Sequence, residues 1–275
     1  MIIKQEELKS VGQVKPNSLI LGDCLEAMKF IADKSIDMVN CDLPYGTTAC
    51  KWDVIIPFEP LWAQYKRIIK DNGTIVLSGS QPFTSMLIMS NLEMFKYEWI
   101  WDKGVSGSFA NAKYQPLKTH ENILIFSHKN IYNPQMNKRK KPARIGGVNS
   151  GSTQGGRNII YNSTKLSNKK IYDFAFPKTI QYVSPRSVKN DRGKHPTQKP
   201  VALYEYLIKT YTNEGDLVLD NCAGSFTTAV ACDNLNRKWI CIEQEQKYCE
   251  IGEKRIEENK QRLKLLNNNV QLELQ

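Results

Sequence analysis

The sequence predicts an α/β fold: a mostly parallel sheet covered by helices on both faces and interrupted by one basic insertion. Three observations carry that expectation. Short apolar runs alternate with stretches of helical periodicity on both sides of the insertion. Four of the expected strands end on an acidic residue, Asp23, Asp42, Asp220 and Glu243. The excess positive charge is confined to one internal segment.

Taken in order, SLILGD at 18–23 reads as a strand, CLEAMKFIA at 24–32 as a helix and IDMVNCD at 36–42 as a second strand. The helix expected over 59–70 has apolar residues at Leu61, Trp62, Tyr65, Ile68 and Ile69, and its stop signal is Asn72-Gly73. TIVLSG (74–79), KYEWIW (96–101) and NILIFS (122–127) are further strands, with a helix over 82–91 between the first two. Beyond the insertion, a helix over 201–212 is entered through Pro200, followed by a strand at 216–220 and a helix at 226–235. A strand at 238–243 and a charged terminal helix from 244 to about 266 complete the chain. Strands alternating with helices of this length imply parallel pairing.

With 275 residues and 41% hydrophobic content, the chain can bury one large core, or one core plus a modest insertion. No apolar run reaches the roughly 18 residues of a membrane span, and MIIKQEELKS lacks the apolar segment of a secretory signal, so a cytoplasmic protein is expected. The seven cysteines are scattered without a C-x-x-C pair, which points to reduced, mostly buried thiols and to neither a metal site nor a disulfide.

Between Lys129 and Lys194 there are 15 Lys and Arg against Asp173 and Asp191, a net of +13, whereas the rest of the chain carries 23 basic and 26 acidic residues. That segment holds Lys138, Arg139, Lys140, Lys141 and Arg144 and interleaves Tyr132, Tyr161, Tyr172, Phe174, Phe176 and Tyr182. Clustered Lys and Arg neutralise phosphates, so a polyanion-binding insertion is expected, although IGGVNSGSTQGGR at 145–157, taken alone, also suits a solvated loop. The expected organisation is 1–128, the insertion at 129–194, and 195–275, the first and last forming one domain.

Ligands of such sheets gather at the carboxyl ends of the parallel strands, where Asp23, Asp42, Asp220 and Glu243 lie. DLVLDNCAGSFTTAVA is a strand, an acid, a Gly/Ser turn and a helix, so amide N–H groups at the helix start face a polar ligand. Glu243, after the next strand, stands where a carboxylate accepts hydrogen bonds from ribose hydroxyls. Together they suggest an adenosine-containing cofactor. DLPY at 42–45 places a carboxylate, a rigid backbone and an aromatic ring side by side. As a bare tetrapeptide it also suits an ordinary strand-to-loop turn.

Five stretches in this order, LGDCLEAM (21–28), DLPY (42–45), KHPTQKPVALYEYLI (194–208), DNCAGSFTTAVA (220–231) and IEQEQKYCEI (242–251), make the chain resemble the beta-class DNA methyltransferases that act on exocyclic amino groups. DLPY before the basic segment and the glycine loop after it is the permuted order of that class. The resemblance implies a Rossmann-like methyltransferase domain, S-adenosylmethionine as methyl donor and double-stranded DNA as substrate. It assigns Asp42, Pro44 and Tyr45 to catalysis and Asp23, Cys24, Thr197, Lys199, Asp220, Ala223, Gly224, Ser225, Thr227 and Glu243 to the cofactor. Lys138, Arg139, Lys140, Lys141 and Arg144 fall to DNA in the target-recognition insertion. Asp at the head of the tetrapeptide favours adenine N6 over cytosine N4, whose enzymes more often carry Ser there. Attack at cytosine C5 is excluded, because it uses a cysteine, usually in a Pro-Cys dipeptide, and this sequence has none. Dimerisation is common in the class and is carried as an expectation; the motifs specify neither the recognition sequence nor a partner endonuclease. Two residues depart from the pattern: Leu43 replaces a proline, leaving acceptors and ring in place, and Phe226 replaces a glycine, where its side chain must turn away from the cofactor or narrow its pocket. The rival reading, a DNA-binding protein that has lost its cofactor, rests on Phe226.

Overall fold

The computed structural model describes residues 2–48, 50, 53–107, 109–145, 170–185 and 198–273, without the side chains of 140–145, 170–172 and 269–273. The chain forms two compact units, a larger one of Met1–Asn133 with Thr179–Gln275 and a smaller one of Pro134–Lys178.

In the larger unit the elements run β1 (Ile2–Lys4), β2 (Ser18–Leu21), α1 (Cys24–Met28), β3 (Ile36–Cys41), α2 (Phe58–Ile68), β4 (Ile69–Gly79), α3 (Phe83–Met89), β5 (Phe95–Asp102) and β6 (His120–Phe126). The smaller unit supplies β7 (Asn137–Ile145) and β8 (Lys170–Ala175). The larger unit resumes with β9 (Ile180–Tyr182), α4 (Val201–Tyr211), β10 (Leu217–Asp220), α5 (Thr227–Asn234), β11 (Lys238–Glu243) and α6 (Gln246–Glu273).

Nine strands of the larger unit form one sheet in the order β1-β2-β11-β10-β3-β4-β6-β5-β9. Every neighbouring pair is parallel except those made by β6, which runs antiparallel to both β4 and β5. Side chains alternate between two cores, one per face. Leu219, Ile240, Ile242, Leu124 and Phe126 enter the first; Val218, Trp239, Cys241, Ile123 and Ile125 enter the second. Burial on both faces is why the central strands read as continuous apolar runs.

Each expected strand and helix of the larger unit has a counterpart, β11 with the expected ends and the others with shifted ones. Instead of running to 32, α1 stops at Met28, where Phe30 and Ile31 bond back three residues in a tighter turn. The helix expected over 59–70 ends at Ile68, because Ile69 is extended and Lys70, already in β4, pairs with Asp37 at 2.7 Å. The terminal helix begins later than expected, at Gln246, and runs past 266 to Glu273. β1 and β9 were not anticipated; three-residue strands carry too little alternation to be seen.

In the smaller unit β7 and β8 pair antiparallel, with Lys138 opposite Phe174 and Arg144 opposite Ile171. Lys138 is exposed, and Arg139 Nε donates to the Phe174 carbonyl at 3.1 Å. Lys140, Lys141 and Arg144 are strand positions of β7 whose side chains lie outside the described residues. Among the described residues no helix is long and apolar enough to cross a membrane.

Candidate active site

Because β2, β11, β10 and β3 are adjacent and parallel, their carboxyl ends bring Asp23, Glu243, Asp220 and Asp42 to one cleft of about 750 Å³. All four line it, as do Cys24, Pro44, Tyr45, Lys199, Ala223, Gly224, Ser225 and Thr227. Thr197 lies outside the described residues, as do Lys51, Trp52 and His195.

At one end of the cleft the loop after β10 is tied down by its own acids. Asp220, 2% exposed, accepts from the Thr228 hydroxyl at 2.5 Å and from the Cys222 amide at 3.2 Å. Burial pushes its carboxyl up to about 7, against those hydrogen bonds. Glu243 accepts from the Gly224 amide at 2.8 Å and the Glu245 amide at 2.9 Å, and burial raises its pKa as well. Gly224 has φ +51°, in the left-handed region open to glycine. From α6, Arg255 Nη1 donates to the Ser225 carbonyl at 2.7 Å and to the Thr227 hydroxyl at 3.0 Å. Phe226, fully buried, sends its ring into the core on that side of the sheet. It does not line the cleft. Asp23, at the outer edge, caps α1 by accepting from the Glu26 amide at 3.0 Å, and the Gln5 side chain accepts from its own amide at 2.8 Å.

At the other end Asp42 is the centre of a polar cluster. Tyr45 donates its hydroxyl to Asp42 Oδ1 at 2.6 Å, and Lys199 Nζ donates to Oδ2 at 2.5 Å. Lys199 also lies 3.2 Å from Glu121 Oε2, while Lys103 donates to Glu121 Oε1 at 3.0 Å. Lys199 is 7% exposed in its side chain; burial opposes its charge, but Asp42 and Glu121 together hold its pKa above the ordinary lysine value. Glu121 is likewise opposed by burial and held below the usual carboxylate range by Lys199 and Lys103. The Tyr45 ring stacks on Phe83 with centroids 5.0 Å apart, and burial keeps its hydroxyl protonated.

The turn after Tyr45 wraps around a carboxylate. Asp53, 8% exposed, accepts from the amides of Gly46, Thr47 and Thr48 at 2.9, 2.9 and 2.6 Å. Burial works against its charge, but bonds from the Thr48 hydroxyl and these amides hold its carboxyl below the usual range. Thr47, Thr48 and Val54 of this turn line the cleft.

The sequence reading did not single out Glu121, Lys103, Asp53, Arg255 or Gln5. Glu121 and Lys103 sit at the ends of β6 and β5, and only the antiparallel pairing of these strands brings them together. For Asp53 a signal existed, an acid shortly after a Gly-Thr-Thr turn.

The family model described as DNA methylase, of the N6/N4 type, matches residues 36–254, from the start of β3 into α6. This chain belongs to that family. The match takes in both ends of the cleft of this DNA methylase, the Asp42 cluster and the Gly224 loop. The chain is similar to the type II methyltransferase M.HpaI of Haemophilus parainfluenzae, 28% identical over 87% of this chain and 74% of the relative. It is similar also to the DNA adenine methyltransferase YhdJ of Escherichia coli (strain K12), 27% identical over 87% and 82%. Among solved structures it resembles M1.HpyAVI in complex with SAM, with 24% identity, TM-score 0.58 and coverage of 93% of this chain and 100% of the other. It resembles the cytosine-N4-specific PvuII DNA methyltransferase at 15% identity and TM-score 0.59, over 85% and 83%. These two likenesses are likenesses of fold.

Proposed function

We propose that this DNA methylase transfers the methyl group of S-adenosylmethionine to the N6 amino group of an adenine swung out of double-stranded DNA. The observation that carries the reading is Asp42, bonded to Lys199 through one oxygen and to the Tyr45 hydroxyl through the other, in the same cleft as the Gly224 loop and Glu243. Similarity to a relative named as an adenine methyltransferase supports the choice of base.

The residues fit a cofactor of this kind: Gly224 has no Cβ where the loop approaches the cleft, Phe226 turns its ring away, and Glu243 stands at the next strand end. Asp23, Cys24, Ala223, Ser225, Thr227 and Asp220 supply the remaining walls. Bound S-adenosylmethionine supplies an electrophilic methyl on its sulfonium sulfur. The chain's own task is to prepare the amine, a poor nucleophile because its lone pair is delocalised into the ring. Asp42 accepts one N–H and the Pro44 carbonyl the other, so that the lone pair turns out of the ring plane toward the methyl carbon. Transfer would break the methyl–sulfur bond and leave the cofactor as a neutral thioether, and Asp42 is the group placed to take the proton that the amine gives up. Tyr45, backed by Phe83, gives the extruded base a flat wall. Positioning and electrostatics lower the barrier, and no covalent enzyme intermediate is required.

In this reading 1–128 and 195–275 are two halves of one methyltransferase domain and 129–194 is the target-recognition region, with Lys138, Arg139, Lys140, Lys141 and Arg144 on phosphates. The enzyme works in the cytoplasm, and sedimentation of the full chain tests the expected dimer. The decisive experiment is tritiated methyl transfer to plasmid DNA followed by digestion. N6-methyladenine is the expected product; N4-methylcytosine would overturn the choice of base, and no transfer would overturn the reading.

A further inference from the structure

Asp42 has both oxygens engaged, Oδ1 by Tyr45 at 2.6 Å and Oδ2 by Lys199 at 2.5 Å. An amino group that is to be turned by Asp42 must share this carboxylate with an ammonium that draws on the same lone pairs. A tyrosine hydroxyl can stay, since each oxygen accepts more than one bond. The ammonium is the stronger competitor, because a charge-assisted bond is roughly twice as strong as a neutral one. Lys199 cannot withdraw to water either: its side chain is 7% exposed, and an unpaired buried ammonium costs several kcal/mol. It needs a second carboxylate within reach.

Glu121 provides one. Its Oε2 is buried, lies 3.2 Å from Lys199 Nζ, and makes no aligned hydrogen bond among the described residues. Its other oxygen is anchored by Lys103 at 3.0 Å, so the group is fixed in place and half-satisfied. The carboxylate is delivered by β6, the antiparallel strand, from a different part of the sheet than Asp42.

We infer that Glu121 is a positioning residue, the second seat of Lys199: the lysine bonds to Asp42, and passes to Glu121 when the target amino group claims the Asp42 carboxylate. The inference rests on the proposed role of Asp42 as acceptor of that amine. Lys199 therefore serves the acceptor, rather than only the cofactor as the sequence resemblance implied. Neither residue needs to touch the methyl group.

The test is a double-mutant cycle of single-turnover methylation on the full chain, using Glu121→Gln, Lys199→Met and the pair. Glu121→Gln keeps the shape and removes the charge, stranding Lys199 on Asp42. Its methylation rate constant should fall by roughly tenfold or more, with cofactor affinity and KM for DNA changed by less than about twofold. In the Lys199→Met background the same substitution should cost nothing further, because there is no ammonium left to strand. A purely structural Glu121 would cost the same in both backgrounds, and that result overturns the inference. So does an unaffected Glu121→Gln chain, or a Lys199→Met chain with no measurable methylation, since the lysine would then be needed on Asp42 during the reaction. Should Glu121→Gln not fold, Glu121→Asp, which shortens the reach, must show the same pattern. A wild-type chain that methylates no DNA sinks the functional proposal instead, so the two failures are distinguishable.

Discussion

The ring of Phe226 lies over the Cα of Gly252, so close that a Cβ added there would stand 2.0 Å from Cδ2 of the ring. The side chain that breaks the glycine pattern of the loop is therefore housed by a glycine in α6. Phe226 tolerates a left-handed backbone, φ +60° and ψ +37°, and in return fills the core between α5 and α6. Two outcomes are expected. Gly252→Ala should destabilise the chain by about 1–3 kcal/mol through overpacking, despite the better helix propensity of alanine. Phe226→Gly should lose about 3–5 kcal/mol to the cavity it opens, partly offset by relief of the backbone. Neither should tighten cofactor binding, and tighter binding by Phe226→Gly in calorimetry would mean that the ring crowds the cleft after all.

Asp42→Asn retains size and one acceptor but releases Lys199 wholly to Glu121. Methyl transfer should fall by a factor on the order of 10² to 10³, comparable with loss of one transition-state hydrogen bond in a water-poor site. Cofactor affinity measured by titration calorimetry should change little. Normal turnover would rule out the acceptor role.

Asp53 holds the three consecutive amides of Gly46, Thr47 and Thr48 with its two oxygens. Asp53→Ala should cost about 1–3 kcal/mol of stability per unsatisfied donor that stays buried, less where water reaches it. Since Thr47, Thr48 and Val54 line the cleft, a loosened turn should also raise KM for DNA more than it lowers the rate constant at saturation. A fall in that rate constant with KM unchanged would assign Asp53 to chemistry instead.

What the sequence disclosed and what it withheld divide along a physical line. The strand ends were legible because each is a local pattern, an apolar run closed by an acid, and parallel pairing then forces Asp23, Glu243, Asp220 and Asp42 to one edge. Partners that depend on pairing between distant segments were not. Lys199 and Asp42 are 157 residues apart, and nothing near either one names the other. Phe226 looked like a threat to the pocket because its rotamer is decided by Gly252 and by the packing of α6, neither of which the loop sequence contains. Glu121 and Lys103 were invisible for the same reason, one near the start of β6 and the other just past the end of β5, each among other polar residues.

The pH dependence of folding should carry the signature of Asp220. Burial, opposed by bonds from Thr228, Cys222 and Cys41, pushes its carboxyl to about 7, with the nearby Asp42 charge pushing the same way. Raised in the folded state, it binds a proton over a range where the unfolded chain does not. Its contribution to stability is thus fully present below the unfolded carboxylate pKa near 4 and is lost as pH rises through about 7. Asp220→Asn cannot ionise, so its Tm should gain on that of the wild type as pH rises between those two values. The gain should approach about 1.4 kcal/mol for each pH unit and level off once the folded wild type has lost its proton. A Tm difference independent of pH would place the ionised form in the native state throughout.

In the smaller unit, β7 carries Lys138 to Lys141 as part of a two-stranded ribbon. Lys138 is exposed and pairs across from Phe174, itself 52% exposed, so this edge presents a cation beside an aromatic surface. Arg139 spends its Nε on the Phe174 carbonyl, which orients its guanidinium. If these groups lie on phosphates, each contact released should reduce the slope of log K against log salt by about 0.9. Lys138→Glu and Arg139→Glu should each weaken DNA binding and flatten the slope by about one contact, uniformly across sequences, because phosphates carry no base identity. The double variant should flatten it by about two. Methylation at saturating DNA should be nearly unchanged, since the Asp42 cluster is built entirely from the larger unit. A charge-reversed ribbon with an unaltered slope would put the DNA on another surface; a changed sequence preference with an unaltered slope would make these side chains readers of base edges.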